Sequence, residues 1–418
     1  MQRFVLIVLL LLSSFGVRAA SVLVAMDEDQ KNHLKAYGLT FWALKNGIEA
    51  NWLLNYRGGS FLFAYSETIE KECKVRNVSY QVLTDATRNN ILGTIVDSQV
   101  NMDIIKLEKA PRMAVYSPKN KLPWDDAVTL VLTYAEIPYD IVYDEDVLKG
   151  KLSGYDWLHL HHEDFTGQYG RFWSTFRMAP WYTDDVKLQE KTAKTLGYKK
   201  VSQMKLDVAL SIRNFCAGGG FLFAMCSGTE SFDIALAAEG IDICETMFDG
   251  DPADHDAQKK LDFDKTFAFQ NFKLDMNPYN YEFSDIDVTA TRTLERTNDF
   301  FTLFEFSAKW DVIPTMLTQN HDQVIKGFMG QTTAFRKSLL KPHVLVLGES
   351  KAVNEARYIH GEFGKGQWTF YGGHDPEDYQ HAIGDPPTDL NLHPNSSGYR
   401  LILNNVLFPA AKKKKQKT

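Results

Sequence analysis

The sequence predicts an α/β fold built around a largely parallel sheet. Three observations lead there. Apolar runs of strand length alternate with amphipathic stretches of helix length from residue 21 onward. The connections between them are short, as in units where two strands share a sheet across a helix. A chain of 418 residues with 44% hydrophobic content can bury a sizeable core, in two domains or in one with large insertions.

Taken in order, residues 21–26 read as a buried strand and 30–45 as a helix with Leu34, Tyr37, Phe41 and Leu44 on one face. A strand at 51–55, a turn at 56–60, a helix at 66–73, a strand at 78–83, a helix at 85–98 and a strand at 102–107 complete a smaller unit over 20–110. A second run starts after Pro111, with a strand at 113–116, a helix at 124–135 and strands at 139–143 and 156–161. A Trp- and Tyr-rich segment and a helix ending near Cys216 follow. Gly218-Gly219-Gly220 then leads into the apolar strand 221–225 and directly on to a helix at 229–238. Residues 245–341 are irregular and read as a large insertion with some antiparallel pairing. The core resumes with a strand at 343–347, a hairpin of 356–362 with 366–372, and a final helix at 399–408. The main domain thus spans 111–410, and 411–418 form a basic tail.

Arg3 followed by the apolar run 4–12, with Val17 and Ala19 at the small-residue positions, predicts a signal peptide over 1–19. The run is too short to span a bilayer core of roughly 30 Å. No transmembrane segment is expected, and the mature chain is expected to be exported, to the periplasm or beyond. The net charge of −7 argues against nucleic acid as a partner. The four cysteines, Cys73, Cys216, Cys226 and Cys244, are too few for a disulfide scaffold, and none stands in a C-x-x-C pair.

Ala224-Met225-Cys226-Ser227-Gly228 carries the most chemistry. A buried strand ends in a cysteine and a helix begins at once. Such an elbow holds its central residue in a strained conformation with the side chain clear of the sheet. The helix N-terminus favours a thiolate, and the Ser227 amide is placed for an oxyanion. Gly228 lets strand and helix approach closely. A base is needed within reach. His374, in Gly372-Gly373-His374-Asp375-Pro376-Glu377, ends another strand, and Asp375 or Glu377 can orient it.

This arrangement resembles the class I glutamine amidotransferase-like superfamily over residues 111–410. The resemblance implies a flavodoxin-like three-layer domain, with Cys226 as nucleophile, His374 as base and Glu377 or Asp375 as the third member. Ala224 stands where the family elbow has glycine, and His374-Asp375-Pro376-Glu377 has one residue more than the family's H-P-E. At full length the chain also resembles secreted bacterial proteins labelled asparagine synthetase B, through Arg57-Gly58-Gly59-Ser60, residues 161–168 and residues 374–379. That label's chemistry does not carry over. Cleavage leaves no N-terminal cysteine, and no S-G-G-x-D-S loop is present.

A second cluster is His159-Leu160-His161-His162-Glu163-Asp164. On a strand, His159 and His161 share a face while His162 points away. Glu163, Asp164 and Gln168 are expected to line the pocket. The alternative is a divalent metal on His159 and His161, completed by His374 or His255. The expected function is therefore a cysteine-dependent hydrolase acting on an amide or related acyl bond of a small molecule or peptide, without a cofactor. The alternatives are a non-catalytic ligand-binding or envelope-assembly module and a metal-dependent hydrolase. The acidic stretch 249–256 reads as a solvated loop, Arg57 as part of a turn or an anion contact, and the aromatics of 172–181 as cleft lining or core.

Overall fold

The computed structural model describes residues 19–120 and 122–412. Residues 1–18 of the expected signal peptide and 413–418 of the basic tail lie outside the described residues.

The N-terminal unit runs β1 (Ala19–Val24), a helix (His33–Lys45), β2 (Ala50–Leu54), β3 (Ser60–Ala64), a helix (Glu67–Val75), β4 (Gln81–Thr84), a helix (Asp85–Val96) and β5 (Asp103–Leu107). Its sheet has the order β4-β1-β3-β2-β5, and every neighbouring pair is antiparallel. The expected parallel sheet is therefore corrected here. The reason is β3, whose Ser60-Phe61-Leu62-Phe63-Ala64 follows directly on a turn and was not expected as a strand. The turn is tight enough to permit only an antiparallel hairpin. Asn55, Arg57, Gly58 and Gly59 all take positive φ there, and a Cβ on Gly58 would stand 2.2 Å from the Met26 carbonyl oxygen. The helix from β1 to β2 leaves one strand's width between them, and β3 fills it.

The main sheet comprises β6 (Met113–Tyr116), β7 (Asp140–Val142), β8 (Trp157–Leu160), β9 (Phe221–Met225), β10 (Phe300–Leu303), β11 (Val324–Lys326), β12 (Phe335–Arg336), β13 (Leu345–Ser350), β14 (Glu355–Phe363) and β15 (Gly366–Tyr371). The order is β11-β10-β13-β14-β15-β9-β8-β6-β7, with β12 on β14. The expectation of parallel pairing holds for β7, β6, β8, β9 and β15. The strands from the insertion and the β14–β15 hairpin pair antiparallel.

Both faces of the parallel strands are buried, as their continuous apolar sequences require. Val115, Trp157, Phe223 and Met225 face one core; Ala114, Leu158, Leu222 and Ala224 face the other. The first core is continuous with that of the N-terminal unit, through the helices His33–Lys45, Ala127–Tyr134 and Ser397–Leu407. Arg400 fastens this junction, donating to the Met26 carbonyl at 2.8 Å and to the Tyr37 hydroxyl at 3.2 Å. No helix among the described residues is long and apolar enough to cross a membrane.

The insertion is pinned by a buried ion network. Arg292 makes two bonds of 2.8 and 2.7 Å to Asp299, whose other near neighbour is Arg357 at 3.8 Å. Arg357 also donates to the Phe328 carbonyl. This holds the segment 327–333, which lies over the ends of β9 and β15.

Candidate metal centre

The register aligns the ends of three parallel strands. Leu160 pairs with Ala224 and Met225 with Tyr371. The residues that follow, His161, Cys226 and Gly372, therefore emerge side by side at the carboxyl edge, where ligands gather in open α/β sheets.

At Cys226 the elbow is present. The residue has φ 49 and ψ −142 and precedes the helix Ser227–Ala237. The Gly228 amide donates to the His161 carbonyl at 2.6 Å, so a Cβ on Gly228 would meet that oxygen at 2.5 Å. That amide is thus committed to the fold. All four cysteines are free and buried. Burial pushes the Cys226 thiol up to about 11, although the amides of Gln331, Thr332 and Ser227 pull it back. Ser227 is buried, and its hydroxyl has no hydrogen-bond partner.

The expected triad does not assemble. No hydrogen bond joins Cys226 to His374 among the described residues. Glu377 instead lies 3.1 Å from Nδ1 of His393. Asp375 accepts from the amides of Glu377 and Asp378 and from the Thr388 hydroxyl at 2.7 Å. The extra residue relative to H-P-E is the physical reason. It lets Asp375 fold the chain back on itself in a turn, and both carboxylates leave the imidazole.

His374 instead joins other histidines. Its ring centroid is 4.5 Å from that of His161, 6.0 Å from His162 and 4.6 Å from His381, the last stacked at 13°. Ligand atoms of His161, His162 and His374 all lie within 4.8 Å of one another, as do those of Asp125, His374 and His381. His162 was expected to point away. The strand ends at Leu160, so two-residue alternation no longer governs it. His255, by contrast, has its side chain 99% exposed and lies 3.6 Å from Asp256.

The centre is buried and under-partnered. His161 Nε2, His374 Nε2, His381 Nε2, Glu163 Oε1 and both oxygens of Asp125 make no hydrogen bond. Buried polar atoms are normally paired, so this many orphans in one place needs a cause. Burial, and then the neighbouring imidazoles, hold His374 well below its usual pKa. His162 is lowered by the same causes, to about 3. Both rings are thus neutral, the state in which imidazole binds a metal. Burial opposes charge on His161 as well, but Asp126, Glu163 and Asp125 outweigh it and raise its pKa, so the site draws positive charge inward.

Asp126 stands behind this set. It caps the helix Ala127–Tyr134, accepting from Val128 at 2.7 Å and Thr129 at 2.9 Å. It also lies 3.2 Å from His161 Nδ1 and 3.3 Å from His159 Nε2. Burial pushes its carboxyl up, but those two rings prevail and hold it well below the usual range. A carboxylate behind a histidine fixes which ring nitrogen faces outward. His159, His161 and Asp126 also have ligand atoms within 4.8 Å of one another, as expected for the first two, while His159 Nδ1 stands 3.1 Å from the Phe223 carbonyl.

Glu163 accepts from the His161 amide at 2.9 Å through one oxygen, while burial raises its carboxyl to about 7. Asp164 and Gln168 do not line the centre. Asp164 accepts from Thr166 and, at 3.0 Å, from Gly170, and Gln168 bonds Thr166 and Arg171. Both are used to shape the loop 164–171. The expected aromatic cleft is partly realised, since Phe172 and Trp181 pack on Trp124, whose ring centroid lies 5.3 Å from that of His162 in a T-shaped arrangement. The anion contact at Arg57 is not available, because Asp27 and Asp29 hold its guanidinium. In the acidic loop, Lys200 takes the place of a cation between Asp242 and Asp249.

Asp125, Asp126 and His381 were missed by sequence reasoning. An Asp directly before an apolar helix is a legible cap signal, which Asp126 carries and which the expected helix start at 124 passed over. Nothing local marked Asp125 or His381 as ligands.

No known protein family matches the chain, and no curated protein matches it. Among solved structures, a cytoplasmic protein of Salmonella typhimurium is similar at 10% identity, with 72% of this chain and 100% of that one covered and a TM-score of 0.37. A second cytoplasmic protein, from Salmonella typhimurium LT2, is similar at 13% identity over the same shares, with a TM-score of 0.35. A GH42 β-galactosidase, Gan42B, is similar at 13% identity over 64% of this chain and 28% of that one, with a TM-score of 0.28. At such scores the likeness assigns neither a fold family nor an activity.

Proposed function

We propose that this chain is a metal-dependent hydrolase whose divalent ion is held by His161, His162 and His374. The observation that carries this reading is the convergence of three imidazoles with ligand atoms within 4.8 Å of one another. The donors fit the group: imidazoles backed by carboxylates suit zinc and its first-row neighbours. Once bound, such an ion supplies Lewis acidity and makes a water acidic enough to attack near neutral pH. Asp126 orients His161, and Glu163 offers a free carboxylate oxygen beside the ligands for proton transfer. Trp124, next to His162, supports a binding face for substrate. Export through residues 1–19 belongs to the same proposal and places the activity in the periplasm or outside the cell. The test is metal analysis of the purified chain, followed by an amide- and ester-substrate screen before and after chelation. Activity lost on chelation and restored by Zn²⁺ supports the reading. Full activity in metal-free protein sinks it.

A second reading is a cysteine hydrolase on a flavodoxin-like, glutamine amidotransferase-type domain. The strand order β7-β6-β8-β9-β15 and the positive φ of Cys226 favour it. Against it stand the raised thiol and the missing base. Alkylation of Cys226 by iodoacetamide should be slow at neutral pH, rise only toward about pH 11, and be unchanged in His374→Ala. Fast neutral labelling that slows in that variant would instead establish the cysteine chemistry.

A further inference from the structure

The donors around His374 outnumber what one ion uses, and this carries the proposed metal reading further. Two sets of three converge there, His161 with His162, and Asp125 with His381, each set including His374. A neutral imidazole gives one nitrogen to one ion. If His374 completes the first set, Asp125 and His381 are left facing each other without purpose.

Their geometry shows what they lack. His381 Nε2 and Asp125 Oδ1 are 3.1 Å apart, and neither atom makes a hydrogen bond. His381 Nδ1 is engaged 2.9 Å from Asp378 Oδ2. That contact holds the ring with Nε2 facing Asp125. With His374 they present three ligand atoms within 4.8 Å of one another, and the second oxygen of Asp125 is unpartnered as well. The same anchored-and-free arrangement recurs in Glu163. One oxygen is fixed by the His161 amide, and the other is unpartnered, 4.0 Å from His162 Nε2.

Charge points the same way. Asp125, Asp126, Glu163 and Asp378 lie in the centre or directly behind its imidazoles. Of these, Asp125 and Glu163 carry oxygens without a hydrogen-bond partner, and leaving a buried carboxylate uncompensated is costly.

We propose that the centre holds two divalent cations: one on Asp125, His374 and His381, and one on His161 and His162, where the free oxygen of Glu163, 4.0 Å from His162 Nε2, takes the place of His374. This rests on the metal reading above. Mixed imidazole and carboxylate sets of this kind suit Zn²⁺ or Mn²⁺. Paired ions clamp both the attacking and the leaving oxygen of a displacement, which directs the search for substrates toward phosphate esters as well as amides.

The test uses the full chain, stripped with chelator, titrated with Zn²⁺ and measured for bound metal after gel filtration. Two equivalents are expected in the wild type, and one in His381→Ala and in His162→Ala. Asp125→Asn, which keeps the side chain's shape, is also expected to hold one and guards against a folding defect in His381→Ala. A single wild-type equivalent, unaffected by His381→Ala and Asp125→Asn, overturns the paired centre and leaves the one-ion reading standing. No bound metal in the wild type overturns both.

Discussion

Replacing His374 by alanine should lower metal affinity by more than about 100-fold, because loss of even an outer-shell partner typically costs about 10- to 100-fold. His374 stands at the centre of the cluster, with ring contacts to His161, His162 and His381. Its Nε2 has no other partner, so the substitution removes a donor without breaking a hydrogen bond. At saturating metal, a 100-fold loss corresponds to about 2.7 kcal/mol of ligand-induced stabilisation. Unfolding measured with and without Zn²⁺ separates this from a general packing defect. The difference between the two conditions should shrink sharply in the variant, while the metal-free curve moves much less. An unchanged Zn²⁺-dependent shift would remove His374 from the centre.

The second large effect is expected at Asp299. It is buried between Arg292 and Arg357, and both guanidiniums have side-chain exposures of 1% or less. Asp299→Ala leaves two positive charges in the interior with only Glu355 nearby, 3.3 Å from Arg292. Breaking such a pair costs about 3–5 kcal/mol. Urea denaturation should show the loss as a lowered midpoint with an unchanged slope. The consequence reaches the centre. The Asp299 carbonyl accepts from Gly327 at 2.8 Å, and in the same segment the Met329 carbonyl accepts from the His374 amide at 2.9 Å. Weaker Zn²⁺ binding should therefore accompany the loss of stability. A midpoint shift equivalent to less than about 1 kcal/mol would show the network to be energetically neutral, as some buried pairs are.

Both effects reach beyond what local sequence shows. The parallel strands were legible because their apolar runs are continuous and the helices between them are amphipathic. The elbow was legible for the same reason, since a strand ending in Cys226 followed by Ser227-Gly228 allows little but a sharp turn. His159, His161 and His374 were visible as polar residues at strand ends. The β3 strand was not visible, because its five residues follow a glycine turn and read as loop. The antiparallel pairing of the whole N-terminal sheet depended on it.

The sequence by itself determined the α/β class, the sharp turn at Cys226 and the placing of His161 and His374 at the carboxyl ends of strands. These follow from periodicity and turn chemistry, which act over a few residues. Only the tertiary structure decided which side chains meet. Asp125 and Asp126 arrive on the loop after β6, His161 and His162 at the end of β8, and His374 and His381 after β15. Their meeting depends on strand order and register, which are set by burial of both sheet faces rather than by any local signal. The same packing withdrew Asp375 and Glu377 from His374 and left its imidazole among the other histidines.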